Sequence, residues 1–112
     1  MEIQVINNQL VVDNKRIEFS ENIKAYFLIE DTCIVQLWNS MSDDISQQPI
    51  NNVFSVNREC KVIWNIYDLI KKDGIYTKIT ISNGLLYLFE FLGRRYIIDL
   101  SNNSIIDDKA FK

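Results

Sequence analysis

Apolar and polar positions alternate with a period of two along most of the chain, in runs too short for long helices. Ile75, Thr77, Ile79 and Ile81 alternate with Tyr76, Lys78, Thr80 and Ser82, which predicts a strand with one apolar and one polar face. From Leu85 to Leu92 both alternating sets are largely apolar, which predicts a central strand covered on both sides. Between these runs stands Asn83-Gly84, a pair that tolerates the positive φ of a type I′ hairpin. Leu92-Gly93 marks a second turn, so Ile75 to Leu100 reads as three strands around which the chain is expected to be organised.

The same period runs through the rest. Glu2 to Ile6, Leu10 to Asp13 and Arg16 to Phe19 read as short strands separated by Asn-rich turns. Ile23 to Glu30 places Ile23, Ala25, Phe27 and Ile29 on one face. Cys33 to Trp38 places Cys33, Val35 and Leu37 on one face and Ile34 and Trp38 on the other. Asn52 to Val56 and Lys61 to Ile66 form a hairpin around Asn57-Arg58-Glu59-Cys60, with Val62, Trp64 and Ile66 sharing a face and Cys60 in the turn. Tyr67 to Asp73 fits a single helical turn. Ile105-Ile106 and Ala110-Phe111 close the sheet as a short edge, with Asp107, Asp108 and Lys109 discouraging further pairing. The period fails over Asn39 to Asn51, NSMSDDISQQPIN, a loop long enough to be either functional or a plain crossover between sheets. With turns at intervals of roughly 8–12 residues, residues 1–112 form a single all-β domain. The expected architecture is an antiparallel meander of about ten short strands, as a sandwich or as strongly curved propeller-blade-like sheets.

Composition narrows the function. Hydrophobic residues make up 47% and charged residues 24% of 112, as in an ordinary folded domain. With only 3 glycines, asparagine must supply much of the left-handed turn geometry. The net charge of −3 disfavours nucleic acid and suits a basic partner. There is no run of about 20 apolar residues for a membrane span and no secretory leader pattern, so the two cysteines are expected to be reduced thiols of a cytoplasmic protein.

The chain has no histidine, which removes Ser-His-Asp and Cys-His nucleophile systems and the usual His-containing zinc sites. Gly74, Gly84 and Gly93 are too dispersed for a phosphate loop. The paired acids Asp43-Asp44 and Asp107-Asp108 sit in flexible-looking segments, where a solvated loop outweighs a glycosidase or cation site. No cofactor is expected and a carboxylate enzyme is disfavoured. Trp64 reads as core, while Trp38, bordering the long loop, reads equally as core or as an interface anchor.

Two stretches carry a resemblance. Asn52 to Ile66, NVFSVNRECKVIWNI, resembles the outer hairpin of a propeller blade of the pyrroloquinoline-quinone-repeat type, through its Trp64 half and without the usual turn glycine. A closed propeller needs at least about four blades, and the chain has material for about two and a half. The C-terminal half, with Tyr76-Thr77-Lys78-Ile79, Asn83-Gly84-Leu85 and Gly93-Arg94-Arg95-Tyr96-Ile97-Ile98-Asp99, is similar to small uncharacterised bacterial proteins. Some of these look like immunity proteins of toxin–immunity pairs, including contact-dependent growth inhibition systems. That resemblance implies a binding protein that covers a cognate toxin, a basic nuclease being the natural target of an acidic inhibitor. The expected contact residues are Trp38, Asp43, Asp44, Glu59, Tyr67 and Asp68. The alternative is a structural module whose exposed strand edges pair with another copy.

Overall fold

Asparagine turns set the strand lengths. Asn7, Asn14, Asn51, Asn83 and Asn103 all take the left-handed conformation, with φ between 53° and 73°. Asn and Asp tolerate this region because their short side chains bond the local backbone. Asn83 and Gly84 (φ 53° and 75°) make the expected primed turn.

The computed structural model describes the backbone of residues 1–110 and the side chains of residues 1–106. Within them lie β1 (Ile3–Ile6), β2 (Gln9–Val12), β3 (Lys15–Glu18), β4 (Asn22–Ile29), β5 (Thr32–Trp38) and β6 (Val53–Asn57). Then come β7 (Val62–Asn65), α1 (Ile66–Ile70), β8 (Tyr76–Ser82), β9 (Leu85–Glu90), β10 (Arg94–Asp99) and β11 (Ser104–Ala110). Each strand pairs antiparallel with its neighbour in sequence, which gives three sheets: β1-β2-β3, β4-β5-β6-β7 and β8-β9-β10-β11. The architecture is thus all-β, an antiparallel meander of eleven described strands folded into three stacked sheets, none closed into a barrel. Ile105 and Ile106 lie in β11 as expected, while Phe111 is outside the described residues.

Two apolar layers hold the stack. Leu10 and Val12 of β2 meet Cys33, Val35 and Leu37 of β5 and Val56 of β6, with Cys60 in the same cluster. On the other side Ile34, Val53 and Trp64 meet Ile79, Leu86, Leu88, Tyr96 and Ile98. Among the described strands β5 has the longest run covered on both faces, with Cys33 to Leu37 all buried, and β10 shares this over Tyr96 to Ile98. The expectation that β9 holds this place is corrected. Leu86, Leu88 and Glu90 are buried, but Leu85, Tyr87 and Phe89 are only half-buried, because no fourth sheet covers the outer face. The organising element is the middle sheet rather than residues 75–100.

Bulges account for the other departures from strict alternation. One extra residue on a strand shifts every later side chain to the opposite face. A bulge between Ile23 and Ala25 sends Ile23 to the β1–β3 side and Phe27 to the β8–β11 side, so the two do not share a face. A bulge between Tyr76 and Lys78 turns Tyr76 inward with Ile79, at 1% exposure. A third, at Ser55/Val56, leaves Val62 exposed while Trp64 and Ile66 are buried. Trp64 is core, as expected, and its indole N–H donates to Asn103 Oδ1 at 3.1 Å. Cys33 is core too. Cys60 is buried at 8% exposure despite lying in a turn, its thiol directed to Leu10 O at 3.6 Å.

The inner side of β5 also contains amides. Gln36, 2% exposed, donates through Nε2 to Tyr76 O at 2.8 Å. Asn52, fully buried, donates through Nδ2 to Leu37 O and Tyr76 O, both at 2.9 Å, and accepts from Tyr76 N at 2.9 Å. This clasp ties β8 to the middle sheet by directional bonds at a point where the chain enters the third sheet.

Candidate functional site

The long segment from Asn39 to Asn51 is a built loop. Gln48 is its pin: Oε1 accepts from Asn39 N at 2.7 Å and Nε2 donates to Ser42 O at 2.8 Å. Its side chain is buried, which satisfies backbone groups that a loop would otherwise leave to water. Asp44 caps the short 3-10 turn Ile45–Gln47, accepting from Ser46 N and Oγ at 2.9 Å each. Those bonds favour the carboxylate, so the Asp44 pKa lies below its ordinary value.

The loop is anchored at its far end. Asn51 accepts from Gly74 N at 3.1 Å and donates to Asp73 Oδ1 at 2.9 Å. Asn65 donates to Asn51 O at 2.7 Å and caps α1, accepting from Tyr67 N at 3.1 Å. Asp68 completes this box by accepting from Asn65 N at 2.9 Å. Ile75 O in turn accepts from Phe91 N at 3.0 Å, which brings the β9–β10 turn alongside. Gly74 is packed closely here, since a Cβ would lie 3.2 Å from both Tyr76 Oη and Glu90 Cγ.

These bonds gather the long loop, α1 and the β9–β10 turn at one end of the stack. That end exposes large apolar side chains: Met41 at 91%, Leu92 at 78% and Ile50 at 60%, with Tyr67 and Phe91 each at 42%. Solvent-exposed apolar residues are ordinary singly, whereas large contiguous apolar patches on a surface are characteristic of interaction sites. A shallow groove of about 580 Å³ runs beside it, lined by Ile45, Thr77, Lys78, Phe89, Glu90, Phe91 and Gly93. Lys24, at the β4 bulge, reaches over the Trp38 ring (4.5 Å to its centroid) and donates to Thr77 O at 3.2 Å. Trp38 is half-buried under that lysine, at the edge of the apolar end.

Of the residues expected from sequence, Trp38, Asp43, Asp44, Tyr67 and Asp68 fall at this end. Asp44 and Asp68 have structural duties there as helix caps, whereas Asp43 is exposed beside them. Glu59 does not join them. It lies in the β6–β7 turn at the opposite end of the middle sheet, roughly 20 Å away along strands of this length, near the Arg58–Asp31 ion pair (2.9 Å). The apolar members Met41, Ile50, Phe91 and Leu92 were missed, because exposure of single apolar residues in polar loops leaves no periodic signal. Among the described residues no group of three or more His, Cys, Asp or Glu side chains comes together.

Comparison with known proteins adds one finding. A family model described as a domain of unknown function (DUF7957) matches residues 1–110. The chain belongs to that family. No curated protein and no solved structure matches it. No helix among the described residues is long and apolar enough to cross a membrane.

Proposed function

We propose that this chain is a non-catalytic protein-binding domain whose long-loop end docks a protein partner. The observation that carries the reading is the exposure of Met41 and Ile50 on a loop pinned by Gln48, Asn51 and Asn65, and of Leu92 in a turn held by the bonds from Phe91 N to Ile75 O and from Leu92 N to Glu90 Oε1. Apolar side chains held in place before binding lose little conformational freedom on association, which is what an interface core needs. Asp43 and Asp44 at the rim, the latter held ionised, favour a partner with a basic surface through steering and orientation. The finer reading is an immunity protein that neutralises a cognate bacterial toxin, a basic nuclease being the best match in charge, acting in the cytoplasm where Cys33 and Cys60 remain free thiols.

The test uses the product of the neighbouring gene, co-expressed with the tagged chain. Met41→Glu with Leu92→Glu is expected to abolish co-purification while leaving the melting temperature unchanged. Arg58→Glu, at the opposite end, is expected to leave capture intact. Capture that survives the paired Glu changes removes the loop end as the docking surface.

A further inference from the structure

The middle sheet ends in β4, and the free edge of that strand is unlike the other edges. Strands β1, β3 and β7 are four residues each, β11 runs through Asp107-Asp108-Lys109, and β8 turns Lys78 and Ser82 to solvent. Short or charged edges resist pairing with another chain. In contrast, β4 is eight residues long, and from Tyr26 to Ile29 it carries no charge. A bulge and Lys24 blunt only its start. Tyr26 and Leu28 stand on one face at 47% and 48% exposure, while Phe27 between them packs against the core on the β8–β11 side.

The backbone of the same two residues lies open. Leu37 N donates to Asn52 O, so Leu37, Val35 and Cys33 direct their backbone bonds to the β6 side. Gln36, Ile34 and Thr32 then bond β4 through Ala25, Phe27 and Ile29. The N–H and C=O groups of Tyr26 and Leu28 therefore point away from the sheet. Among the described residues the β1–β2 turn bonds β4 at Ile23, whose N–H donates to Asn7 O at 2.9 Å, and no backbone of another element reaches Tyr26 or Leu28.

The open stretch from Lys24 to Glu30 is complementary to itself. A two-fold axis perpendicular to the sheet, passing between two Phe27 residues, lays a second β4 antiparallel beside the first. Tyr26 of each copy then opposes Leu28 of the other, and each of the two pairs exchanges both of its backbone bonds. Lys24 opposes Glu30, twice, and no like charges are opposed along the stretch. Lys24 Nζ already donates to Thr77 O, but an ammonium has two further donors for a carboxylate. Glu30 borders a groove of about 510 Å³ that Asp99 also lines, and bonds from Ser101 keep Asp99 ionised, so the incoming lysine meets an acidic site. The register ends where the Asn7 bond begins, because each copy turns away at Glu30-Asp31. A register centred on Tyr26 instead sets Lys24 against Leu28 and the already bonded Ile23 against Ile29.

We infer that the free edge of β4 is an isologous interface, to which a second copy of this chain adds its own β4 and so joins the two middle sheets into one. The inference is independent of the loop-end reading, since it uses a different surface and its test needs no partner protein. Sedimentation velocity of the full chain, over a series reaching millimolar concentration, is expected to show a monomer–dimer equilibrium. Amide exchange at Tyr26 and Leu28 is expected to slow in step with the dimer fraction. Tyr26→Lys with Leu28→Lys is expected to leave a folded monomer by circular dichroism, since both side chains are half exposed. Lys24→Glu and Glu30→Lys are each expected to weaken the dimer by about tenfold, because each opposes like charges twice. Mixing these two variants in equal amounts restores complementarity and is expected to favour the heterodimer over either homodimer. A wild-type monomer at every concentration overturns the inference. So does a dimer that is indifferent to the paired lysines, or one in which the Tyr26 and Leu28 amides exchange as fast as in the monomer.

Discussion

Towards β1–β3, β5 presents Cys33, Val35 and Leu37, and they meet Leu10, Val12, Val56 and Cys60. Towards β8–β11 it presents Ile34 and Gln36, and Gln36 joins Asn52 in bonding the backbone of Tyr76. One strand thus borders two interiors of different chemistry. In the first, cohesion comes from apolar area and volume, which resist cavities but tolerate sliding. In the second, amides give bonds of fixed direction, and a slip of one residue would leave buried donors and acceptors unpaired. Both apolar layers supply stability, and the clasp fixes where the third sheet begins. The loop end depends on that placement, because the β9–β10 turn is bonded towards the long loop through Ile75 and Gly74.

The largest effect belongs to the apolar side. Leu10 is fully buried at the centre of its layer. Leu10→Ala is expected to cost about 3 kcal/mol in urea unfolding, the usual toll of a core leucine whose cavity does not collapse. The m-value should stay constant, since the lost contacts are non-directional. A loss below about 1 kcal/mol would mean that β1–β3 repacks freely and that this layer is not a fixed core.

Much of this was legible from alternation and turn chemistry. The hairpin turns fell where Asn7, Asn14, Asn83 and Asn103 stand, because few other residues take a left-handed φ readily. Trp64 was placed in the core by the face it shares with Ile66. The sheet order was not legible, and so β9 was given the place that β5 holds. Apolar residues on both faces of β9 and of β5 look alike in sequence, and only the stacking decides which is covered twice. Bulges were invisible for a related reason, since Lys24 and Thr77 carry no local mark of an extra residue. The burial of Cys60 follows from the turn folding back onto β2, a contact of fifty positions in sequence. At the loop end Trp38 and the acids drew notice as residue types, while Met41 and Leu92 are conspicuous only through their exposure.

An intermediate effect separates the two interiors by pH. Burial in the apolar layer pushes the Cys33 thiol up to about 11 from an ordinary 9.0, with nearby Cys60 adding to it. The protonated thiol is therefore favoured in the folded state, and its contribution is complete below pH 9.0. As pH rises from there towards 11, the unfolded chain ionises first, and about 2 to 3 kcal/mol is lost. Urea midpoints measured from pH 8 to 11 should fall more steeply for the wild type than for Cys33→Ala. Parallel slopes would show that the thiol is not held away from water and that the layer admits solvent.

The smallest effect tests the clasp by coupling rather than by cost. Tyr76 O accepts from both Gln36 Nε2 and Asn52 Nδ2, so either amide alone keeps it satisfied. Gln36→Ala is then expected to cost about 1 kcal/mol, and Asn52→Ala about 2 kcal/mol because Tyr76 N and Leu37 O also lose a partner. Combining them strands Tyr76 O in the interior, and the double variant should lose about 1 kcal/mol more than the sum. Val35→Ala, on the other face of the same strand, should add to Asn52→Ala with no such excess, since the two side chains share no partner. Amide exchange gives the same contrast site by site: Asn52→Ala should expose Tyr76 N while β2 stays protected. Additivity of Gln36→Ala with Asn52→Ala would mean that the two amides act separately, and that the third sheet is held, like the first, by packing alone.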